Sequence, residues 1–287
     1  MSIVGCGDVG LRLARLLAAD GATVHAFTRS KARAARLAAA GFRAACLDLD
    51  RPVDAGALPP VDALFHFVPP PPRGDDDPRL GRLLAALAAR PPRRLVLLST
   101  SAVYGDHRGA RVTEDTPPRP ASARGRRRLA AERRLAAFAR ESGTEAVILR
   151  VGGIYARDRL PLERLRRGEP VLRPELAPPT NRIHADDLAA VCRAAALRGR
   201  PGAVYNVCDG SESSMTEYFY TIADCLGLPR PPAVDWAEAE RTMSPGMLAY
   251  LRESRRMDNR RMLSELGVRL RHPDLRTALG APAAREA

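Results

Sequence analysis

Short apolar runs, bounded by glycine, proline or acidic residues, alternate along most of this chain with longer stretches. In the longer stretches apolar side chains recur every three or four positions. That alternation of strand-like and helix-like rhythm predicts a parallel sheet flanked by helices. Ile3-Val4 reads as a first strand, followed by a helix from about Leu11 that ends at Gly21. In that helix Arg12 and Arg15 face outward and the leucines inward. Thr23 to Phe27 predicts a second strand and Lys31 to Ala40 a helix closed by Gly41; Phe42 to Leu47 and Ala63 to Val68 read as buried strands. Asp77-Pro78 is a strong helix start, an N-cap carboxylate before a proline in the first turn, leading into Leu80 to Ala89. Leu95 to Leu98 predicts a fifth strand, Arg126 to Glu141 a helix and Ala146 to Leu149 a sixth strand. Beyond Tyr155 the rhythm loosens into Arg- and Pro-rich sequence as far as Pro179. A helix from about Ala185 and a strand over Ala203 to Val207 then return to the sheet, and from Ser211 the pattern is helical with proline breaks. The expected fold is α/β, a doubly wound parallel sheet with a small, mainly helical C-terminal lobe.

Composition narrows the class of protein. A chain of 287 residues can hold one sizeable domain with an appended lobe. Its 45% hydrophobic and 28% charged content is that of a soluble globular protein. Arginine or proline interrupts every apolar run well short of the ~18 residues a membrane span needs. Met1-Ser2 runs straight into the first strand, so no secretory segment is expected; the shortness of that strand suggests a start a few codons further upstream. The odd number of cysteines (Cys6, Cys46, Cys192, Cys208, Cys225), with no CxxC pair, predicts reduced thiols in a cytoplasmic protein. His25, His66, His107, His184 and His272 share no ligand spacing, so no metal is expected.

The formal net charge of +13 would attract phosphates irrespective of sequence. The arginines are nonetheless spread along most helices, and aromatics make up only 5%, so nucleic acid is not the expected partner. Lys31 is the single lysine among 46 basic residues, a constraint on any chemistry that needs an amine.

Gly5-x-Gly7-x-x-Gly10 lies between the first strand and first helix, the setting in which this pattern binds a dinucleotide. The glycines permit a tight turn and bring backbone to a pyrophosphate resting on the helix N-terminus. Asp8 and Val9 fall within the same loop; the Asp8 carboxylate must point away from phosphate. The second strand ends in Phe27-Thr28-Arg29-Ser30-Lys31, with no carboxylate to hold both ribose hydroxyls of NAD. Arg29, Ser30 and Lys31 suit the 2′-phosphate of NADP, with NAD as the lesser option and plain solvated basic residues at a helix start as the alternative. Asp48, after the third strand, stands near adenine or is a plain strand-end acid, and Val68 ends the fourth strand beside the cofactor. On this reading the sheet is Rossmann-type. Residues 1–154 and 182–210 form the NAD(P)-binding domain, and residues 155–181 and 211–287 form a substrate-binding lobe.

Ser99-Thr100-Ser101-Ala102-Val103-Tyr104-Gly105 resembles the end of the fifth strand in extended short-chain dehydrogenase/reductases, the group containing sugar-nucleotide epimerases and dehydratases. Glu114 to Pro117, Arg150 to Tyr155, Arg182 to Leu188, Tyr205-Asn206-Val207, Asn259 and Leu266-Gly267 extend the likeness over nearly the whole chain. The resemblance implies an oxidoreductase-like protein acting on a small carbonyl or sugar-like molecule. It implies that Thr100 polarises the substrate oxygen and that Tyr104 supports the pocket. The family's Tyr-x-x-x-Lys-x-x-x-Glu pattern is not kept. Counting back from Glu132 puts Arg124 at the tyrosine position and Arg128 at the lysine position, one helical turn apart. Arg128 can hold cofactor ribose hydroxyls, but neither guanidinium can replace a phenol as acid or base. The likeness is thus to atypical members of the group, with Thr100, Tyr104, Arg124 and Arg128 as the substitute catalytic set.

Tyr155 and His107, just past strand ends, are the expected substrate-pocket residues. The alternative function is a non-catalytic sensor or regulatory protein that binds NADP and passes its redox state to a partner. The expected ligand is a small molecule, an anionic one included, with the oligomeric state open between monomer and homodimer.

Overall fold

The computed structural model describes residues 1–280. Seven strands, β1 (Ser2–Val4), β2 (His25–Thr28), β3 (Arg43–Cys46), β4 (Ala63–His66), β5 (Arg94–Thr100), β6 (Glu145–Val151) and β7 (Val204–Val207), form one sheet. Their order is β3-β2-β1-β4-β5-β6-β7 and every pairing is parallel. This is the Rossmann arrangement. The order reverses beside β1, which opens a crevice at the carboxyl ends of β1 and β4.

Helices cover both faces. α1 (Asp8–Ala19), α2 (Lys31–Ala39) and α5 (Ala185–Arg198) share one apolar cluster in which Leu13, Phe65, Val96 and Leu188 are fully buried. α3 (Pro78–Leu87) and α4 (Ala123–Ser142) enclose a second around Leu80, Leu83, Leu95 and Leu135. Each fully buried leucine contributes roughly 1.5–3 kcal/mol, so these clusters hold the crossovers to the sheet.

Local chemistry sets the element ends. Gly7 N-caps α1, so the helix starts at Asp8 rather than Leu11. Ser122 accepts from the Gly125 amide (3.3 Å), so α4 starts at Ala123 rather than Arg126. β3 corrects an expectation: it is mostly exposed, because it is the last strand of the sheet with no neighbour beyond it.

Beyond β6 the chain makes short paired strands. Gly153–Tyr155 runs parallel to Arg182–His184, and Pro179–Thr180 antiparallel to Ser213–Ser214. With α6 (Met215–Leu226) they surround a separate apolar cluster of Tyr155, Leu165, Val171, Phe219 and Ile222. The helix Arg260–Leu266, expected in the lobe, instead packs on the sheet. Met262 and Leu266, four apart on one face, are fully buried in the main core. Among the described residues, no helix is long and apolar enough to cross a membrane.

Candidate dinucleotide and substrate site

The three glycines of the first turn do different work. Gly5 has φ +91°, and a Cβ there would stand 2.8 Å from the Val68 amide nitrogen, so only glycine lets the turn lie against the end of β4. Gly10 packs closely on Ile3 and Cys6, holding α1 to β1. Gly7 is open: a Cβ would meet nothing nearer than the Gly5 carbonyl at 3.8 Å. No side chain caps α1, so its first amides stay free for an anion. The Asp8 carboxylate is turned aside, bonded to Arg12 and Arg159 at 3.1 Å each. The Val9 side chain is buried in the core, so only its backbone is available to a ligand.

From this turn a cleft of about 350 Å³ runs past Gly7, Thr28, Arg29, Asp48 and Val68. The Arg29 side chain is 72% exposed and touches Asp50 loosely, at 3.4 Å. The Ser30 hydroxyl is spent on capping α2 through the Arg33 amide, and Asp48 accepts from the Asp50 amide. Arg33 and Arg79 also line the cleft, and sequence reasoning missed both. Arg79 grips both oxygens of Asp50 (2.6 and 2.7 Å) and the Pro69 carbonyl, and its hydrogen bonds hold the Asp50 carboxyl below the usual range. Arg33 had a readable signal, since it lies in the first turn of the helix after Arg29. Arg79 had none, because its segment joins the site only through the sheet order.

At the end of β5, Thr100 is buried; its hydroxyl caps the following turn and lies 3.5 Å from Arg124 Nη2. Arg124 is exposed, whereas Arg128 is buried, donating to the Val68 carbonyl (3.2 Å) with Asp77 at 3.7 Å. Burial pushes the Arg128 guanidinium down to about 10, so it is still charged at neutral pH. Below it His66 is fully buried with both ring nitrogens unpartnered; burial and the Arg128 charge depress it to about 3, leaving it neutral. α4 is anchored from beneath by a buried set: Glu132 pairs with Arg150 (2.8 Å) and accepts from Ser99 (2.5 Å).

Tyr104, His107 and Tyr155 are the remaining expected site residues. Tyr104 is fully buried: its phenol donates to the Asn206 side-chain oxygen Oδ1 at 2.7 Å, and the Arg150 guanidinium lies over its ring at 4.8 Å. Two buried residues claim its ring and hydroxyl, so no substrate reaches it. His107 is half-buried against the Tyr104 carbonyl (3.2 Å), while Tyr155 is buried edge-on to His184 with an unpartnered phenol. The fold does not bring these two together around one partner.

The fold does gather three possible ligands that sequence spacing hid: atoms of His184, Asp186 and His272 lie within 4.8 Å of one another. Two of the three are already engaged, while His272 Nδ1 is buried without a hydrogen-bond partner among the described residues. His184 Nδ1 accepts from the Asp186 amide as the cap of α5, and the Asp186 carboxylate is held by Arg12 at 2.6 Å. A cation there would meet the Arg12 charge, so the cluster reads as a helix cap.

Comparison with known proteins agrees with this geometry. Residues 2–208 match the model of the NAD dependent epimerase/dehydratase family. The chain is 27% identical to Protein YeeZ of Escherichia coli (strain K12), over 96% of each chain. A functionally unknown conserved protein from Silicibacter pomeroyi DSS is 34% identical with a TM-score of 0.82, covering 97% of this chain and 95% of its own. MoeE5, solved in complex with UDP-glucose and NAD, is 26% identical with a TM-score of 0.78, covering 98% and 96%.

Proposed function

The chain belongs to the NAD dependent epimerase/dehydratase family, and we propose that within it this protein is an NADP-preferring oxidoreductase with a rebuilt proton-transfer site. The carrying observation is the uncapped N-terminus of α1 behind a turn that a side chain at Gly5 would block. These residues fit a dinucleotide. The amides of Gly5, Cys6 and Gly7 are bonded to the Phe27 and Gly5 carbonyls, so the free amides at the head of α1, from Asp8 to Gly10, would hold the diphosphate. Arg29 with Arg33 would read the adenosine side, where β2 ends without a carboxylate. MoeE5 was solved with NAD, so the preference for a 2′-phosphate rests on those arginines alone.

A nicotinamide coenzyme held there would supply hydride exchange with a carbinol or carbonyl carbon. Thr100 orients the substrate oxygen, and Arg124 beside it stabilises negative charge developing there. Arg128, buried against β4, lends positive charge near the ribose. The reacting proton exchanges with water, because a guanidinium keeps its own. Residues 155–181 and 211–280, apart from the helix Arg260–Leu266, form the substrate side. The arginines at the Tyr and Lys positions favour a second reading, an NADP-binding sensor without turnover.

Titration with NADPH and NADH, followed by nicotinamide fluorescence, tests the first step. NADPH is expected to bind more tightly, and Arg29→Ala to weaken NADPH about tenfold while leaving NADH unchanged. Equal affinity for both coenzymes in the wild type would remove the 2′-phosphate reading. Oxidation of bound NADPH on adding sugars or aldehydes would separate enzyme from sensor.

A further inference from the structure

Among the described residues six arginines are buried: Arg94, Arg127, Arg128, Arg150, Arg182 and Arg255. Five have an oxygen acceptor. Arg94 pairs with Glu145 and Arg150 with Glu132, while Arg127, Arg128 and Arg255 donate to the carbonyls of Gly74, Val68 and Gly105. Arg182 has none among the described residues. It is 7% exposed, its Nη2 reaches only the Met215 sulfur (3.3 Å), and its Nε is buried without a partner. A buried guanidinium left this way is costly, because the water it lost has not been replaced.

The surroundings hold that guanidinium at a cleft. The Arg182–His184 strand pairs with Gly153–Tyr155 beyond the carboxyl ends of β6 and β7, with Arg182 opposite Gly153. A Cβ at Gly153 would stand 3.4 Å from Nη1, so glycine leaves the group its room. Tyr218 supports it from one side, its ring centre 3.6 Å from the guanidinium carbon. The cleft holds about 160 Å³ and is shared with Ser211, Ser213 and Thr221. Its carboxylates are occupied elsewhere: Asp209 holds Ser211, Glu217 closes the cap of α6, and Asp274 caps its own helix. Asp209 lies near enough to feel the Arg182 charge, but no carboxylate hydrogen-bonds the guanidinium, so its donors are left for a visitor.

We propose that Arg182, with Ser213 beside it, forms a subsite for a compact oxyanion, the carboxylate or phosphate monoester end of the substrate. This rests on the oxidoreductase reading above and names its substrate class. Drug-sized ligands need about 300 Å³ or more, so this cleft takes a head group rather than a whole nucleoside diphosphate.

The test is thermal unfolding and calorimetric titration with inorganic phosphate, glucuronate and UDP at constant ionic strength, with and without saturating NADPH. Wild type is expected to gain stability with phosphate or glucuronate, and whichever is stronger identifies the head group. Arg182→Met should weaken that anion about tenfold or more, and Arg182→Lys should retain part of the response. Without anion, Arg182→Met should be as stable as wild type or more so, which a purely structural arginine would not allow. NADPH affinity should be the same in all three proteins. The inference is overturned if wild type responds to neither small anion, if Arg182→Met responds equally, or if UDP is the ligand whose binding depends on Arg182. Failure of NADPH binding itself would instead count against the oxidoreductase reading.

Discussion

Asp209 is a buried carboxyl whose ionisation is opposed mainly by burial, which pushes it up to about 6 despite bonds from Ser211. In the unfolded chain an aspartate titrates near 3.9. The folded state therefore binds the extra proton between roughly pH 4 and 6, and stability falls as pH rises through that window. Asp209→Asn keeps the acceptor oxygen and abolishes the charge. It should match wild type near pH 4 and be the more stable protein above pH 6, with the gap opening between. Melting curves across pH 4–8 check this, and a constant gap would contradict it. The residues given roles in the proposal stand in short motifs that the sequence displays: the Gly5–Gly10 turn, Arg29 after β2, and the Arg124 and Arg128 substitutions. Arg79, His66 and Arg182 were not legible, since each acquires its role from a partner distant in sequence or from lacking one.

α4 joins the candidate site to the sheet, and its attachment is ionic as well as apolar. Glu132 and Arg150 are both almost fully buried, with Ser99 completing the set from β5. Arg150→Met alone strands a buried carboxylate and should cost about 3–5 kcal/mol. Adding Glu132→Gln should recover most of that loss, since the unpaired charge is then gone. Urea unfolding of the single and double variants checks the coupling; equal losses in both would mean the pair acts through packing alone. Elements of the sheet were readable because glycine, Asp-Pro and serine caps mark their ends. β3 was misread as buried, since burial depends on having a neighbour and an apolar run does not reveal strand order. The short strands beyond Tyr155 were unreadable, because pairs such as Gly153–Tyr155 with Arg182–His184 form only through tertiary contact.

Over the whole molecule, the C-terminal chain leaves the sheet after Val207, builds the apolar cluster around α6, and returns. Met262 and Leu266 enter the main core, and the Tyr205 phenol donates to Glu265 at 2.8 Å. The lobe is thus tied to the main core through Arg260–Leu266, after which Leu275–Leu279 rejoins the lobe's own apolar cluster. Trp236, the sole tryptophan, sits half-buried within the lobe, packed near Met243 and Leu251. Tryptophan fluorescence and far-UV circular dichroism should therefore report the same denaturant midpoint, as one cooperative unit requires. An earlier fluorescence transition would show a lobe that opens by itself.

Lys31, the only side-chain amine, stands exposed at the head of α2, a few residues from the rim of the cleft lined by Thr28 and Arg29. Amine-directed tethering through side chains therefore has one address, and molecules fixed to a support that way would all face it in the same orientation.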